Sequence, residues 1–423
     1  MASTEETMPP TNIVLTPIGS GGDVHPFVGI GRALRERGHD VTVITSEPFR
    51  EMIEHAGLRF VQHMSEEEIL RLIDNPDIWH PVKGLRLLLQ LGADIMRQGY
   101  ELLRHNCDPD HSVFVAHTVA FSTRVFAEQH DRPVATVHLQ PGVFRSLVAP
   151  GAFAPGKNLG WLPVPMQRLM WRMVDRWLID PHILPELNRL RIDVGLDTVR
   201  RPFKDWIHSP HCTIGLFPSW FGPPASDWPK HVHLPGFVLY DRREQQELSP
   251  ELEEFLDAGD PPIVFTPGTA HMHAGDFLQA GIEASSIMGR RALLATMHAD
   301  HVPANLPDHV RHVEYAPFSL LLPRCAAIVH HGGVGTCAQG LAAGIPQLTM
   351  PMGFDQPDNA TRLRRLGVGA WVVPKDFTGP QVAAALSDLL ADGRVEVECR
   401  RWKEEMANGD PVGKTCDAIE QLV

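Results

Sequence analysis

Short apolar runs alternate with amphipathic stretches along most of the chain. Asn12 to Thr16 is the first run, and the glycine-rich stretch Pro17-Ile18-Gly19-Ser20-Gly21-Gly22-Asp23 follows it. Apolar residues then recur at helical spacing from Pro26 to Arg37, Gly38-His39-Asp40 stops them, and Val41 to Thr45 forms the second run. Short runs without polar alternation are strands buried on both faces, and strand, helix, strand is the unit of a parallel sheet. The pattern continues through a helix near Phe49 to Ala56 and strands at Arg59 to Gln62, Val113 to Ala116, Val134 to His138 and Cys212 to Phe217.

A second α/β series begins with a helix over Glu251 to Leu256 and a strand over Pro262 to Thr266. A helix at Asp276 to Met288 and strands at Ala292 to Ala295, Val310 to Glu314 and Ala327 to His330 come next. The last strand leads through His331-Gly332-Gly333-Val334-Gly335 into a helix from Thr336 to Ala343, and a strand at Gln347 to Met350 follows. The predicted fold is therefore α/β, with two Rossmann-like parallel-sheet domains facing a cleft. The first domain spans 1–217, a stiff Pro- and aromatic-rich linker 218–245, and the second domain 246–405. The final stretch, 406–423, is a helix that can cross back to the first domain.

Two stretches of the first domain are helical insertions. Gly84 to Arg104 carries Leu85, Leu88, Leu89, Ile95 and Met96 at helical spacing. Leu162, Met166, Leu169, Met170, Met173 and Trp177 repeat the pattern, with Arg168, Arg172 and Arg176 on the other face. Packing on the sheet is the plain reading; an adaptable acceptor pocket or a membrane-facing edge is the sharper one.

Composition narrows the classes. With 423 residues, 43% hydrophobic and 21% charged, the chain is long enough for two cores and ordinary in make-up. A formal net charge of −13 disfavours nucleic acid as a partner. Six isolated cysteines without Cys-x-x-Cys spacing, no signal-peptide pattern and no long apolar run predict a cytoplasmic protein with reduced thiols. Resting against the inner face of a membrane is compatible with all of this. No metal site is predicted: Asp108-Pro109-Asp110 lies in a turn before a strand and reads as solvated, and His231-x-His233 and His271-x-His273 lack companions.

The glycine turns carry the chemistry. A strand feeding a helix through glycines points free N–H groups and a positive dipole end at one spot, which suits a diphosphate. His331 can add a directed hydrogen bond there, and the strand-end loop Thr266-Pro267-Gly268-Thr269 can reach the same phosphates. Ser20 and Asp23 lie in the matching loop of the first domain. Asp23, read as lying just before the helix, can take a proton from an acceptor hydroxyl, with His25 as second choice for the base. Asp355 and Gln356 can bind neighbouring sugar hydroxyls, and Asn359 can support their loop. The dinucleotide fingerprint fails, since Val24 stands at its third glycine.

Thr16 to Asp23 with Pro26-Phe27, and His330 to Thr336 with Asp355-Gln356-x-x-Asn359, resemble the UDP-glycosyltransferase superfamily: inverting enzymes of GT-B fold that use nucleotide sugars. Within it the chain looks most like the rhamnosyltransferases of rhamnolipid synthesis, through His208-Ser209-Pro210, Leu216-Phe217-Pro218, Trp220-Phe221, Asp227-Trp228-Pro229 and Val264-Phe265-Thr266. The resemblance implies that Asp23 is the base, that His331, Gly333, Gly335 and Thr336 hold the diphosphate, and that Asp355 and Gln356 hold the sugar. It also implies that Tyr315 and Pro317 flank the nucleoside base. Gln339 stands where many members have a glutamate on the ribose hydroxyls; a neutral residue there leans toward a deoxyribose donor, dTDP.

The reading is an inverting, metal-independent glycosyltransferase that needs no cofactor. It moves a sugar such as L-rhamnose from a dTDP- or UDP-sugar to a hydroxyl of an apolar acceptor, with a hydroxy fatty acid or lipid first and a polyketide or terpenoid second. A nucleotide-sugar epimerase and a non-catalytic nucleotide-sugar-binding protein are the alternatives from other classes. No obligate protein partner is evident.

Overall fold

The structure, a computed structural model, describes residues 11–73, 75–80, 82–241, 246–268 and 274–423. Its strands are β1 Asn12–Thr16, β2 Asp40–Thr45, β3 Arg59–Gln62, β4 Ser112–His117, β5 Val134–His138, β6 Ala152–Ala154, β7 Lys157–Asn158, β8 Cys212–Gly215 and β9 Val232–His233 in the first half. The second half adds β10 Ile263–Thr266, β11 Ala292–Ala295, β12 Val310–Val313, β13 Ala327–His330, β14 Gln347–Thr349 and β15 Gly369–Trp371.

They form two parallel sheets of orders β3-β2-β1-β4-β5-β8-β9 and β12-β11-β10-β13-β14-β15, and a small antiparallel hairpin, β6-β7. In the first sheet Val14 lies opposite Thr42 on one side and Phe114 on the other; in the second, Val264 lies opposite Leu293 and Ile328. All six are buried, which is why these runs are apolar at consecutive positions rather than at alternate ones. Strand order reverses beside β1 in one sheet and beside β10 in the other. Open parallel sheets leave a crevice at that point, outside the C-terminal strand ends. Two such crevices face each other here. This is the GT-B architecture.

The Pro- and aromatic-rich segment after β8 is more than a connector, since it supplies β9, the edge strand paired with β8. The helix Pro411–Glu420 lies on the first domain: Arg37 Nη1 bonds Asp417 at 2.7 Å and Glu420 at 2.6 Å, and Ile419 is fully buried. Burying that isoleucine contributes roughly 1.5–3 kcal/mol, so the chain end holds the two halves together. A second latch lies by the cleft. Asp358 accepts from Ala152 N at 2.8 Å and from Arg362 Nε at 2.7 Å, and Arg362 Nη1 in turn donates to the Phe221 carbonyl at 2.7 Å.

The first insertion is two helices, Lys83–Asp94 and Met96–Asn106, broken at Ile95. The second runs Val164–Val174, opens into a wider turn at Asp175–Ile179 and continues as Asp180–Asp193. Within the wide turn Asp175 is buried and accepts from Arg145 Nη1 at 2.6 Å.

Candidate functional site

Apolar spacing alone starts the first glycine-loop helix near Pro26. The helix in fact runs Gly21–Glu36, with Ser20 as its N-cap. Asp23 is therefore the third helical residue and not part of a loop. Its Oδ2 accepts from Ser20 N at 2.8 Å and from Ser20 Oγ at 3.1 Å. This reciprocal cap supplies partners the proline cannot, and starts the helix before it. Gly19 makes the geometry possible: its φ is +138°, and a Cβ there would overlap the Asp23 carboxylate. The other carboxylate oxygen, Oδ1, lies 3.7 Å from His117 Nε2.

His117 was not foreseen. It ends β4, the strand beside β1 at the reversal of strand order, and it is buried. Burial lowers its pKa, and the neighbouring Asp23 charge partly offsets this. The ring is thus neutral, and the tautomer with its proton on Nε2 suits a facing carboxylate. A histidine directly after the predicted strand Val113 to Ala116 was the signal available in the sequence. His25, by contrast, is tied to the interdomain segment: its Nδ1 donates to the Tyr240 carbonyl at 3.0 Å.

In the second domain β13 ends at His330 and the helix Val334–Ala343 begins after Gly333. The two histidines divide their work. His330 is fully buried, bonds Gln347 Oε1 through Nε2 at 3.1 Å and accepts from Gly332 N at 3.2 Å. Burial pushes its pKa down to about 3, so it stays neutral and braces the turn. His331 is half-buried between two glycines. A Cβ on Gly268 would come within 2.5 Å of its Cε1, and one on Gly333 within 2.5 Å of its Nε2. The strand-end loop after β10 and the turn after β13 thus form one cradle around this ring.

The free N–H groups of the helix start belong to Gly333, Val334, Gly335 and Thr336. The start of this helix abuts the first domain, since a Cβ on Gly335 would sit only 3.7 Å from Gly22 Cα. Two helix N-termini therefore meet across the cleft. Each carries about half a positive charge, so the cleft beside their junction favours an anion.

Asp355 precedes the helix Gln356–Arg365 and is half-buried; its Oδ2 accepts from Asn359 Nδ2 at 2.6 Å. Asn359 Nδ2 also donates to the Gly332 carbonyl at 2.9 Å, which joins the acidic loop to the glycine turn. Burial lifts the Asp355 carboxyl to about 6, and the Asp23 charge across the cleft adds to the rise. Gln356 is more engaged than its sequence position suggests. Its Oε1 accepts from Met352 N at 2.8 Å and Gly353 N at 3.3 Å, so only its amide nitrogen is left for a ligand.

Tyr315 is 41% exposed, and its hydroxyl donates to the Asp241 carbonyl at 2.8 Å. Pro317 begins the short helix Phe318–Leu321, whose Ser319 N donates to Asp241 at 2.7 Å. Gln339 lies three residues beyond Thr336, on the same side of its helix, and is half-buried. Thr269, His271 and His273 lie outside the described residues. Asp108 spends its carboxylate on its own turn, accepting from Asp110 N at 3.0 Å. Among the described residues no three or more His, Cys, Asp or Glu are grouped to hold a metal. A separate cavity of about 420 Å³, lined by Phe144, His208 and Trp228, touches neither glycine turn.

Comparison with known proteins assigns this architecture. Residues 13–147 match the glycosyltransferase family 28 N-terminal domain, and residues 291–419 match the Erythromycin biosynthesis protein CIII-like C-terminal domain. The chain belongs to the UDP-glycosyltransferase superfamily. The glycosyltransferase is 29% identical over 425 residues to the O-mycaminosyltylonolide 6-deoxyallosyltransferase of Streptomyces fradiae, covering 97% of both chains. It is 26% identical to a sterol 3-beta-glucosyltransferase of Arabidopsis thaliana, covering 97% of this chain and 66% of that one. Among solved structures, the glycotransferase of kitacinnamycin superposes with a TM-score of 0.74 at 20% identity, over 98% of this chain and 99% of that one. The Streptomyces sp. SF2575 glycosyltransferase SsfS6, complexed with thymidine diphosphate, gives 0.67 at 20% identity over 97% and 99%. The spinosyn rhamnosyltransferase SpnG gives 0.68 at 18% identity over 97% and 100%.

Proposed function

We propose that this glycosyltransferase moves a deoxysugar such as L-rhamnose, with inversion and without a metal, from a dTDP-sugar to a hydroxyl of an apolar acceptor. The observation that carries the reading is the meeting of two helix N-termini at the cleft, with His331 on one side and Asp23 on the other. The diphosphate lies against the N–H groups of Gly333 to Thr336 and against His331, with Gly268 and Ser20 beside it. Asp355 and the amide of Gln356 hold the sugar hydroxyls. Tyr315 and Pro317 flank the base, and Gln339 faces the pentose.

The acceptor hydroxyl gives its proton to Asp23 as its oxygen attacks the anomeric carbon. The bond from that carbon to the diphosphate oxygen breaks, and the departing charge is taken up at the helix N-terminus. These dipoles are fixed beforehand and need no rearrangement as charge develops. His117 is the positioning residue: it faces Oδ1 while Ser20 holds Oδ2, so the carboxylate keeps one orientation. The deoxysugar and dTDP readings draw support from Gln339, from the thymidine diphosphate complex of SsfS6 and from the rhamnosyltransferase SpnG. Relatives named for O-mycaminosyltylonolide and a sterol favour a polyketide or terpenoid acceptor as much as a hydroxylated lipid.

The test is product mass spectrometry over a donor panel of dTDP-, UDP- and GDP-sugars, with a hydroxy fatty acid and a macrolide aglycone as acceptors. Transfer from dTDP-sugars supports the reading. An isomerised donor formed without acceptor identifies an epimerase, and no turnover with any pair identifies a binding protein.

A further inference from the structure

The helix Val164–Val174 and the wide turn after it lie on the outside of the first domain, and the wrong residues face water. Met166, Leu169, Met173 and Trp177 recur at intervals of three, four and four, which sets them in one stripe, and all four are exposed. Trp161, just before the helix, is 77% exposed and Trp177 is 69% exposed. Of the eighteen large hydrophobic residues exposed among those described, eight fall between Val148 and Trp177. Clustering of this kind marks a surface that something covers.

Charge says what covers it. Arg168, Arg172 and Arg176 recur every fourth residue beside the apolar stripe, and all three are exposed. From Pro133 to Val174 the chain contains no acidic residue, although the protein as a whole carries −13. Asp175, the sole acid of the helix and its wide turn, is buried against Arg145 and offers no carboxylate to the exposed face. A second copy of the chain docking here about a two-fold axis brings the same arginines toward each other with nothing to neutralise them. An anionic lipid surface meets both stripes at once: the arginines at the headgroups, and methionine, leucine and tryptophan at the acyl boundary. The acidic remainder of the protein is repelled by such a surface, which fixes the orientation.

We propose that the segment Trp161–Trp177 docks the glycosyltransferase on anionic phospholipid bilayers, lying in the interface without crossing it. No helix among the described residues is long and apolar enough to span a membrane. The segment joins the cleft side of the first domain, because Arg145, which holds Asp175, follows β5 at its C-terminal end. Docking therefore brings the cleft close to the bilayer.

Co-sedimentation of the full chain with vesicles tests this, comparing phosphatidylcholine alone with phosphatidylcholine plus phosphatidylglycerol at low and high salt. The wild type is expected to bind the anionic vesicles, less so as salt rises. The triple variant Arg168→Gln, Arg172→Gln, Arg176→Gln is expected to lose roughly a hundredfold in partitioning, about fivefold per arginine. The double variant Leu169→Ser, Met173→Ser is expected to lose binding while melting at the wild-type temperature, since both side chains are exposed. Wild type that ignores anionic vesicles, or a triple variant that binds them equally well, overturns the proposal. So does a wild-type dimer that the double variant converts to monomer in the absence of any vesicle binding.

Discussion

Asp23 is both a helix cap and the proposed base, and one substitution separates the two roles. Asparagine keeps an oxygen that can accept from Ser20 N and Ser20 Oγ, now at 2.8 and 3.1 Å, so Asp23→Asn preserves the cap. What it loses is the negative charge at a helix N-terminus, about 0.3–1 kcal/mol of stability. The lost base costs far more: general-base assistance contributes about 10²–10⁴-fold, or roughly 3–5 kcal/mol in the barrier. Steady-state kinetics beside urea unfolding reads both. The expected result is a kcat reduced by at least about a hundredfold, a donor KM close to that of wild type and a stability loss near 1 kcal/mol. Asp23→Ala also forfeits the cap and loses about a further 1 kcal/mol. A kcat for Asp23→Asn within about threefold of wild type refutes the assignment and leaves Asp23 as a cap alone.

Three further outcomes follow from the same geometry. Asp355 has its carboxyl lifted to about 6, so donor KM is expected to rise as pH falls through that value and the sugar loses a charged acceptor; a KM flat between pH 5 and 8 contradicts its role. His330 and His208 are held neutral, at about 3 and about 4. The unfolded chain takes up their protons first as pH falls below about 6.5, so stability drops with falling pH. At pH 5 the two together cost about 4 kcal/mol relative to pH 8, readable by urea denaturation, and unchanged stability counts against this. Gln339→Glu is expected to shift binding preference about tenfold from dTDP toward UDP, since a carboxylate pairs with the extra ribose hydroxyl; unchanged preference removes the basis for the thymidine lean.

Both sheets were legible in the sequence because their strands are buried on both faces and read as unbroken apolar runs. Val134 to His138 and Ala292 to Ala295 are strands over the same residues in structure and in sequence reading. Helix starts were harder to place. Apolar spacing placed the boundary at Pro26, while the true start depends on a cap between Ser20 and Asp23 that the spacing does not show. His117 escaped notice because its meaning is tertiary: it matters through the 3.7 Å approach to Asp23, from a strand far along the chain. Gln356 and Asp358 illustrate the reverse difficulty. Their place in the motif gives no hint that the first is bonded to Met352 and Gly353, or that the second latches the domains through Ala152 and Arg362.

The central claim is that a nucleoside diphosphate sits in the cleft beside the junction of the two helix N-termini, against His331. Calorimetric titration of thymidine diphosphate into the wild type and into His331→Ala tests it most directly. Loss of a charge-assisted hydrogen bond predicts a Kd at least about tenfold weaker in the variant, with the fold intact by circular dichroism. Equal affinity in the two proteins, or no binding to the wild type, contradicts the account.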